Sequence, residues 1–506
     1  MISTGHDFPW SDDAIVLVSR EPVSGAIGLA TAVDDGIAGY VELAQPDTFA
    51  HLVVRAAGQP DEAVFNRVVG RQAALRLAQL SRDWSRSAAS PPVMRLLAAE
   101  PLRCDESLRI AQVEMIRRWL HIDLDERLLD LDLMAARCEA LPGRMSSADV
   151  GADLAAAVEY ADRVTTSADD DVPAPHALIR ELLRVLAALS VPAAYAAAGA
   201  DRERVQSRLI TLAEGEAARR GGFATGLKLR ASVSHAARDA NRFPLHRRDL
   251  PARILAFDSE PEACVHASRH LAHVLVSAFP GGVCRDGATQ LVVRLVDFGS
   301  RFDLAWAELV PNASGTQFRA TLASMRASSG GLADGSIAVE VLRGQDAETP
   351  WEPPDLPQLT TDNAILDAFA LVRAGISAHS LGDRSWAQHL ALAGSCLSVS
   401  NRDLNGAQRA QLHQMRQFRQ RVSATLAASA AGLELQRWGT VDQASEAEAL
   451  AWRGMSGYDV SIARGIGPGQ QDPGWPPVQR VDGLPASLRP TLAELDARWT
   501  AARETA

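Results

Sequence analysis

Three histidines, His266, His270 and His273, fall within a stretch whose apolar residues recur at helical spacing. At 100° per residue they share one stripe of a helix over 260–279, to one side of the apolar stripe of Ala267, Leu271 and Val274. Three imidazoles on one stripe are a ligand set for zinc, which would need a fourth ligand from elsewhere. On that helix Cys264 lies on another side, and Cys284 comes after its end. The competing reading is unliganded histidines at the edge of a core, open to pH-dependent contacts. His121, Asp123 and Asp125 offer a harder, oxygen-rich grouping, which reads more simply as carboxylates on a solvated face.

Phosphate chemistry is the other candidate. Between Arg219 and Arg248 stand Arg219, Arg220, Lys228, Arg230, Arg238, Arg242, Arg247 and Arg248, eight basic residues against one acid, Asp239, a net +7. Between Leu404 and Leu433 there are four, Arg409, Arg416, Arg419 and Arg421, and no acid, a net +4. The chain as a whole carries −11, so the remainder holds −22. Positive charge gathered against an acidic body makes a surface for polyanions or acidic proteins. With Phe223 and Phe243 nearby, 219–248 also suits a single-stranded nucleic-acid track. The alternative is pairing of these arginines with carboxylates of the same molecule.

Residues 221–228, GGFATGLK, resemble a phosphate-binding loop only superficially. Leu227 separates the second glycine from Lys228, and Leu229 stands where that motif needs Ser or Thr. Lys228 is the single lysine among 51 basic residues. Arginine in place of lysine fits the codon bias of a GC-rich bacterial genome, although an amine at 228 could also do chemistry that guanidinium cannot. Nucleophile-elbow, HExxH, dinucleotide-binding and paired-CxxC patterns are absent from the sequence, which leans the reading away from an enzyme. No cofactor is expected.

These groups need elements to hold them. Residues 253–257 and 337–342 are short apolar runs of strand length. Residues 290–297 and 302–310 are rich in β-branched or alternating residues, with Gly299 in a hairpin loop between them. Phe318, Leu322 and Met325 are spaced i, i+4, i+7 and predict a second helix. The order β-α-β-β-α-β is the split βαβ, ferredoxin-like pattern, placed over 251–345. Strand-like runs at 14–18, 40–44 and 51–55, with a turn at 34–36 and a helix over 65–84, make a small β-rich module of residues 1–90. Helical segments follow at 91–165, at 176–250 with its Arg-rich end, and at 360–440. Pro-, Gly- and Ser-rich linkers lie at 166–175, 345–357 and 465–490, and 441–506 ends in a terminal helix. The expected class is α+β, multidomain and predominantly helical.

Composition is that of an ordinary globular protein, 47% hydrophobic and 22% charged. The first residues lack a secretory leader pattern. The longest charge-free apolar run, Val185–Ala200, is too short to span a bilayer. Five scattered cysteines imply a reducing, cytoplasmic setting rather than a disulfide framework. Together these features predict a cytosolic adaptor subunit of a macromolecular assembly that contacts an acidic protein partner through its Arg-rich segments. Binding of DNA or RNA along 219–248 is the second reading, and an enzyme with a scattered metal site near His266 the third.

Overall fold

The computed structural model describes residues 14–18, 23–34, 37–55, 94–97, 105–120, 124–140, 147–166, 174–190, 204–212, 241–244, 262–267, 271–277, 291–297, 303–311, 317–323, 337–343, 356–383, 385–398, 404–430 and 488–505, with Met145 and Ser300. Among them the protein is mixed helix and strand, with helix predominating. The first sheet contains β1 (Ala14–Val18), β2 (Gly28–Asp34), β3 (Ile37–Glu42), β4 (His51–Arg55) and β5 (Met94–Leu97). Its order is β2-β3-β4-β1-β5, antiparallel except for β5 beside β1. The three strand-like runs of the first hundred residues fall on β1, β3 and β4, and the helix expected over 65–84 lies outside the described residues.

Strand β3 is buried along its whole length. Its fit depends on Gly39. A Cβ there would sit 2.3 Å from the Phe49 ring and 3.1 Å from Leu52. Both neighbours are themselves fully buried. Gly39→Ala should therefore cost about 1–3 kcal/mol by overpacking, read as a fall in the urea midpoint at unchanged slope.

Helices α1 (Asp105–Trp119), α2 (Glu126–Ala140), α3 (Ser147–Thr166), α4 (His176–Ser190), α5 (204–212), α6 (Leu356–Ser380), α7 (Trp386–Cys396), α8 (Gly406–Ala430) and α9 (Leu492–Thr505) complete this part. In α4 the residues Leu178, Ile179, Leu182, Val185, Leu186 and Leu189 recur at helical spacing and all are buried. In α8 the stripe Leu412, Met415, Val422 and Leu426 is buried likewise. Asn405 caps α8 with Gln408: Gln408 N donates to Asn405 Oδ1 at 2.9 Å, and Asn405 N to Gln408 Oε1 at 2.8 Å. At the end of α6, Gly382 has φ +74°, the left-handed turn that lets the chain reverse into α7. One hydrophobic core joins Ile37, Val41 and Leu52 of the sheet to Leu108, Leu133, Leu182, Phe369, Met415 and Leu495 of the helices.

The segment expected to be ferredoxin-like is built otherwise. Its strands are β6 (Asn241–Pro244), β7 (Glu262–Ala267), β8 (Leu271–Ser277), β9 (Leu291–Asp297), β10 (Asp303–Glu308), β11 (Val310–Pro311), β12 (Gln317–Ala323) and β13 (Ile337–Arg343). Strands β9, β10 and β13 fall where strands are expected. The two expected helices are strands instead: 260–279 holds β7 and β8, and the run from Phe318 holds β12. Two antiparallel sheets result, β10-β9-β13 and β11-β12-β8-β7-β6. Their facing sides share a second core of Val265, Val274, Val276, Val293, Leu295, Phe318, Leu322 and Val341, a two-sheet sandwich.

The difference has a physical origin. A spacing of four satisfies a helix of period 3.6 and a strand of period 2 alike. Phe318 and Leu322 are four apart, as are Ala267, Leu271 and Leu275. Ala320 decides between the two: it is buried with Phe318 and Leu322, whereas Arg319 and Thr321 are exposed, so the period is two.

Candidate functional site

The densest polar cluster among the described residues holds the last helix in place. Arg109 on α1, Asp132 on α2, Glu181 and Arg184 on α4, and Arg373 on α6 converge on residues 488–494. Arg373 Nη1 donates to Leu488 O at 3.2 Å, and its Nη2 donates to Arg489 O at 2.9 Å. Arg109 Nη2 donates to Pro490 O at 3.0 Å, and its Nη1 also reaches Arg489 O. Three successive carbonyls are thus satisfied by two buried guanidinium groups.

The opening turn of α9 is answered as fully. Leu492 N donates to Asp132 Oδ2 at 2.6 Å, and Glu494 N donates to Thr491 Oγ1 at 3.1 Å. Thr491 N returns a bond to Glu494 Oε2 at 2.7 Å, which completes a capping box. Glu494 is held in turn by Arg373, whose Nε donates to Oε1 at 2.9 Å. Behind them Arg109 pairs with Asp132 at 3.2 Å and Glu181 at 3.1 Å, and Arg184 pairs with Glu181 at 2.8 Å and Glu139 at 2.7 Å.

The ionisation of this cluster follows from burial set against pairing. Burial lowers Arg109 against the pull of Asp132 and Glu181. Burial likewise pushes the Asp132 carboxyl up, to about 6, despite Arg109. At Glu181 burial also pushes upward, but Arg184 and Arg109 together outweigh it and hold the carboxyl below its usual range. Every cation of the cluster pairs with a carboxylate and most of its members are buried, so the cluster is a clamp for the C-terminal segment. Farther along α9, Tyr160 Oη donates to Asp496 at 2.7 Å and Arg498 Nη2 to Ala374 O at 2.7 Å.

The arginines singled out by charge have mixed placements. Arg219, Arg220, Lys228, Arg230, Arg238, Arg247 and Arg248 lie outside the described residues. Arg242 lies on edge strand β6, in register with Cys264. On α8 the cations are used within the molecule. Arg421 is buried, with both Asp47 oxygens 3.0 Å from its Nη2. Arg416 and Arg419 donate to Leu397 O and Leu390 O, tying α8 to α7. Arg409 is at the surface, its Nε 3.3 Å from the Asn405 carbonyl. Asp125 caps α2 by accepting from Arg127 N at 2.9 Å, while His121 and Asp123 lie outside the described residues.

The three histidines are not brought onto a helix stripe. His266 on β7 and His273 on β8 are direct cross-strand partners, and His270 lies outside the described residues. The sandwich also carries the most exposed aromatic side chain among the described residues, Trp306, 69% exposed on edge strand β10. Val310, 55% exposed, follows on β11, the edge of the other sheet. Sequence reasoning noticed the alternation of 302–310 but missed its sense. The small Ala305 and Ala307 pack toward the core and the indole is left outside.

Compared with protein-family models, curated proteins and solved structures, the chain matches none of them. Among the described residues, no helix is long and apolar enough to cross a membrane.

Proposed function

We propose that the protein is an adaptor subunit of a macromolecular assembly that takes an acidic protein partner on its β-sandwich. The observation that carries this reading is Trp306. An indole is a costly group to leave in water, and burying one removes about 150–250 Å² from solvent. Tryptophan on an otherwise polar surface is the residue type most enriched at binding hot spots. Its strand is the end of a three-stranded sheet, where an extended partner segment could add by backbone pairing. Asn241–Pro244, within the Arg-rich stretch 219–248, form strand β6 of the same sandwich, and the net +7 of that stretch supports a negatively charged partner and steering of its approach. The engagement of Arg416, Arg419 and Arg421 within the molecule favours 219–248 over α8 for this contact.

The test compares tagged full-length chains recovered from the native host at low ionic strength. The wild-type chain should co-elute with an acidic protein at fixed stoichiometry. Trp306→Ala should weaken that complex at least tenfold, mostly through faster dissociation. Replacing Arg219, Arg220, Arg247 and Arg248 with Ala should slow association and flatten its salt dependence. A wild-type chain that elutes alone, or a complex indifferent to Trp306→Ala, overturns the reading. Nucleic acid in place of protein, lost steeply with added salt, would replace it.

A further inference from the structure

We infer that the acidic partner binds by strand addition, an extended segment of it pairing antiparallel with the open edge of β10 through the backbone of Trp306 and Glu308. The inference rests on the docking reading and adds which backbone groups bind and what the segment must carry. β10 ends its sheet, with β9 its one neighbour among the described residues. Leu309 N donates to Leu291 O at 2.9 Å, so these two residues form a hydrogen-bonded pair. Ala307 stands opposite Val293, and Ala305 opposite Leu295. Hydrogen-bonded and non-hydrogen-bonded pairs alternate along an antiparallel ladder, so the N–H and C=O of Ala305 and Ala307 turn to β9. Those of Trp306 and Glu308 turn to the open edge. They are a template for one more strand.

The side chains along this edge define the segment. Trp306 and Glu308 are exposed on the outer face, whereas Ala305 and Ala307 pack against the second core yet are only half-buried. An added strand alternates in the same way. Opposite Ala305 and Ala307 it carries apolar residues, which extend the core. Opposite Trp306 it carries an aromatic or β-branched residue, the pairing that stabilises neighbouring strands. Opposite Glu308 it carries no acid, because directly opposed like charges are destabilising. Beyond Glu308 the chain crosses to the other sheet, where Val310 stands opposite Arg319 on β12. Both are exposed, and Arg319 makes no ion pair among the described residues. Antiparallel pairing brings the N-terminal end of the segment to this corner, so its acid belongs there, against Arg319. A second copy of β10 fits the edge less well, since it brings Asp303 and Glu308 to an edge that already carries both.

The probe is a labelled synthetic peptide with blocked ends, Asp-Ser-Thr-Val-Tyr-Val-Thr, titrated with the full-length chain. Its Tyr falls opposite Trp306. The wild-type chain should bind it saturably. N-methylation at Tyr removes the N–H that bonds Trp306 O and should weaken binding about tenfold. N-methylation of the Val before it, whose N–H faces away from β10, should leave binding unchanged. Glu308→Pro removes an edge N–H without touching the ladder to β9, a place where proline is tolerated. It should weaken binding about tenfold with circular dichroism unchanged, while Glu308→Ala should bind as the wild-type chain does. Trp306→Ala should cost about tenfold and Arg319→Glu about threefold. A wild-type chain that does not bind the peptide, or binding that survives N-methylation at Tyr, overturns strand addition. Dimerisation of the chain that Glu308→Pro abolishes overturns it too, and gives the edge to a second copy. A complex from the native host that falls with Trp306→Ala but not with Glu308→Pro keeps the docking reading and overturns this inference alone. A chain that elutes from the host alone yet binds the peptide in the expected pattern overturns the docking reading and keeps the edge.

Discussion

Arg373→Met should cost about 3–5 kcal/mol of folding stability, the usual penalty for removing one partner of a buried ion pair. Arg373 is fully buried and Glu494 is 4% exposed. Without the guanidinium, Glu494 is left as a buried charge without its ion-pair partner, bonded by Thr491, and Leu488 O loses the donor that Arg373 gives it. Arg489 O keeps its bond from Arg109, so the clamp is weakened rather than abolished. The double variant Arg373→Met, Glu494→Met removes both charges and should recover most of the loss, since replacing a buried pair by apolar residues is often near neutral. It cannot recover all of it, because Glu494 also completes the capping box with Thr491, worth about 1 kcal/mol. Urea midpoints for the two singles and the double give the coupling. A single variant within 1 kcal/mol of wild type would show that the C-terminal segment is not held by this pair.

The clamp also explains why the chain closes on itself as it does. Arg109 and its carbonyl acceptor at Arg489 are 380 positions apart. Arg421 and Asp47, a second buried pair, are 374 apart. Both pairs join the two ends of the chain around the helices between them. A tie of this span adds no local signature that a sequence window could register. What was legible at the C-terminus was the helix itself, and Thr491 followed by Glu494 after Pro490 is the one local sign of its start. In α4 and α8 the apolar stripes were readable because a helix buried on one face repeats its pattern over several turns. The sandwich was harder because its strands are short and its apolar residues stand four apart, a spacing common to both periods. The charge segregation in the sequence was real as composition. It did not say that Arg416, Arg419 and Arg421 would be spent on carbonyls and on Asp47, because an arginine's partner is set by the fold and not by its neighbours in the chain.

Acid should loosen the α6–α7–α8 packing through two buried histidines. His379 ends α6 and His389 lies in α7, and both are buried, with Trp386 edge-on to His379 at 5.6 Å. Burial pulls His379 down to about 4 against a hydrogen bond to the Leu426 backbone. Burial also pulls His389 down to about 4, helped by Arg498 and opposed by Asp383. Arg498 and Asp383 themselves lie 3.6 Å apart. With the folded pKa below the unfolded value of about 6.5, the unfolded chain binds protons first as pH falls. The stabilisation from neutral histidine is therefore complete above about 6.5 and drains away toward 4. At pH 4.5 each histidine should have cost roughly 2–3 kcal/mol relative to pH 7, less for His389 beside its charged neighbours. Asp132 acts in the opposite sense over part of this window. Its raised pKa means that the folded state takes up a proton before the unfolded chain does, so it offsets part of the loss below about 6. Asp153 and Asp496, also raised by burial, act with Asp132, whereas His176, lowered by burial, and Glu181, lowered by Arg184 and Arg109, act with the two histidines, and the balance is a net fall. The pair His379→Gln, His389→Leu keeps a donor for Leu426 and removes both titrations. Its urea midpoint should change little between pH 7 and 4.5, or rise slightly through Asp132, while that of the wild-type chain drops. Parallel midpoint curves for the two proteins would mean that these imidazoles do not govern the acid limb.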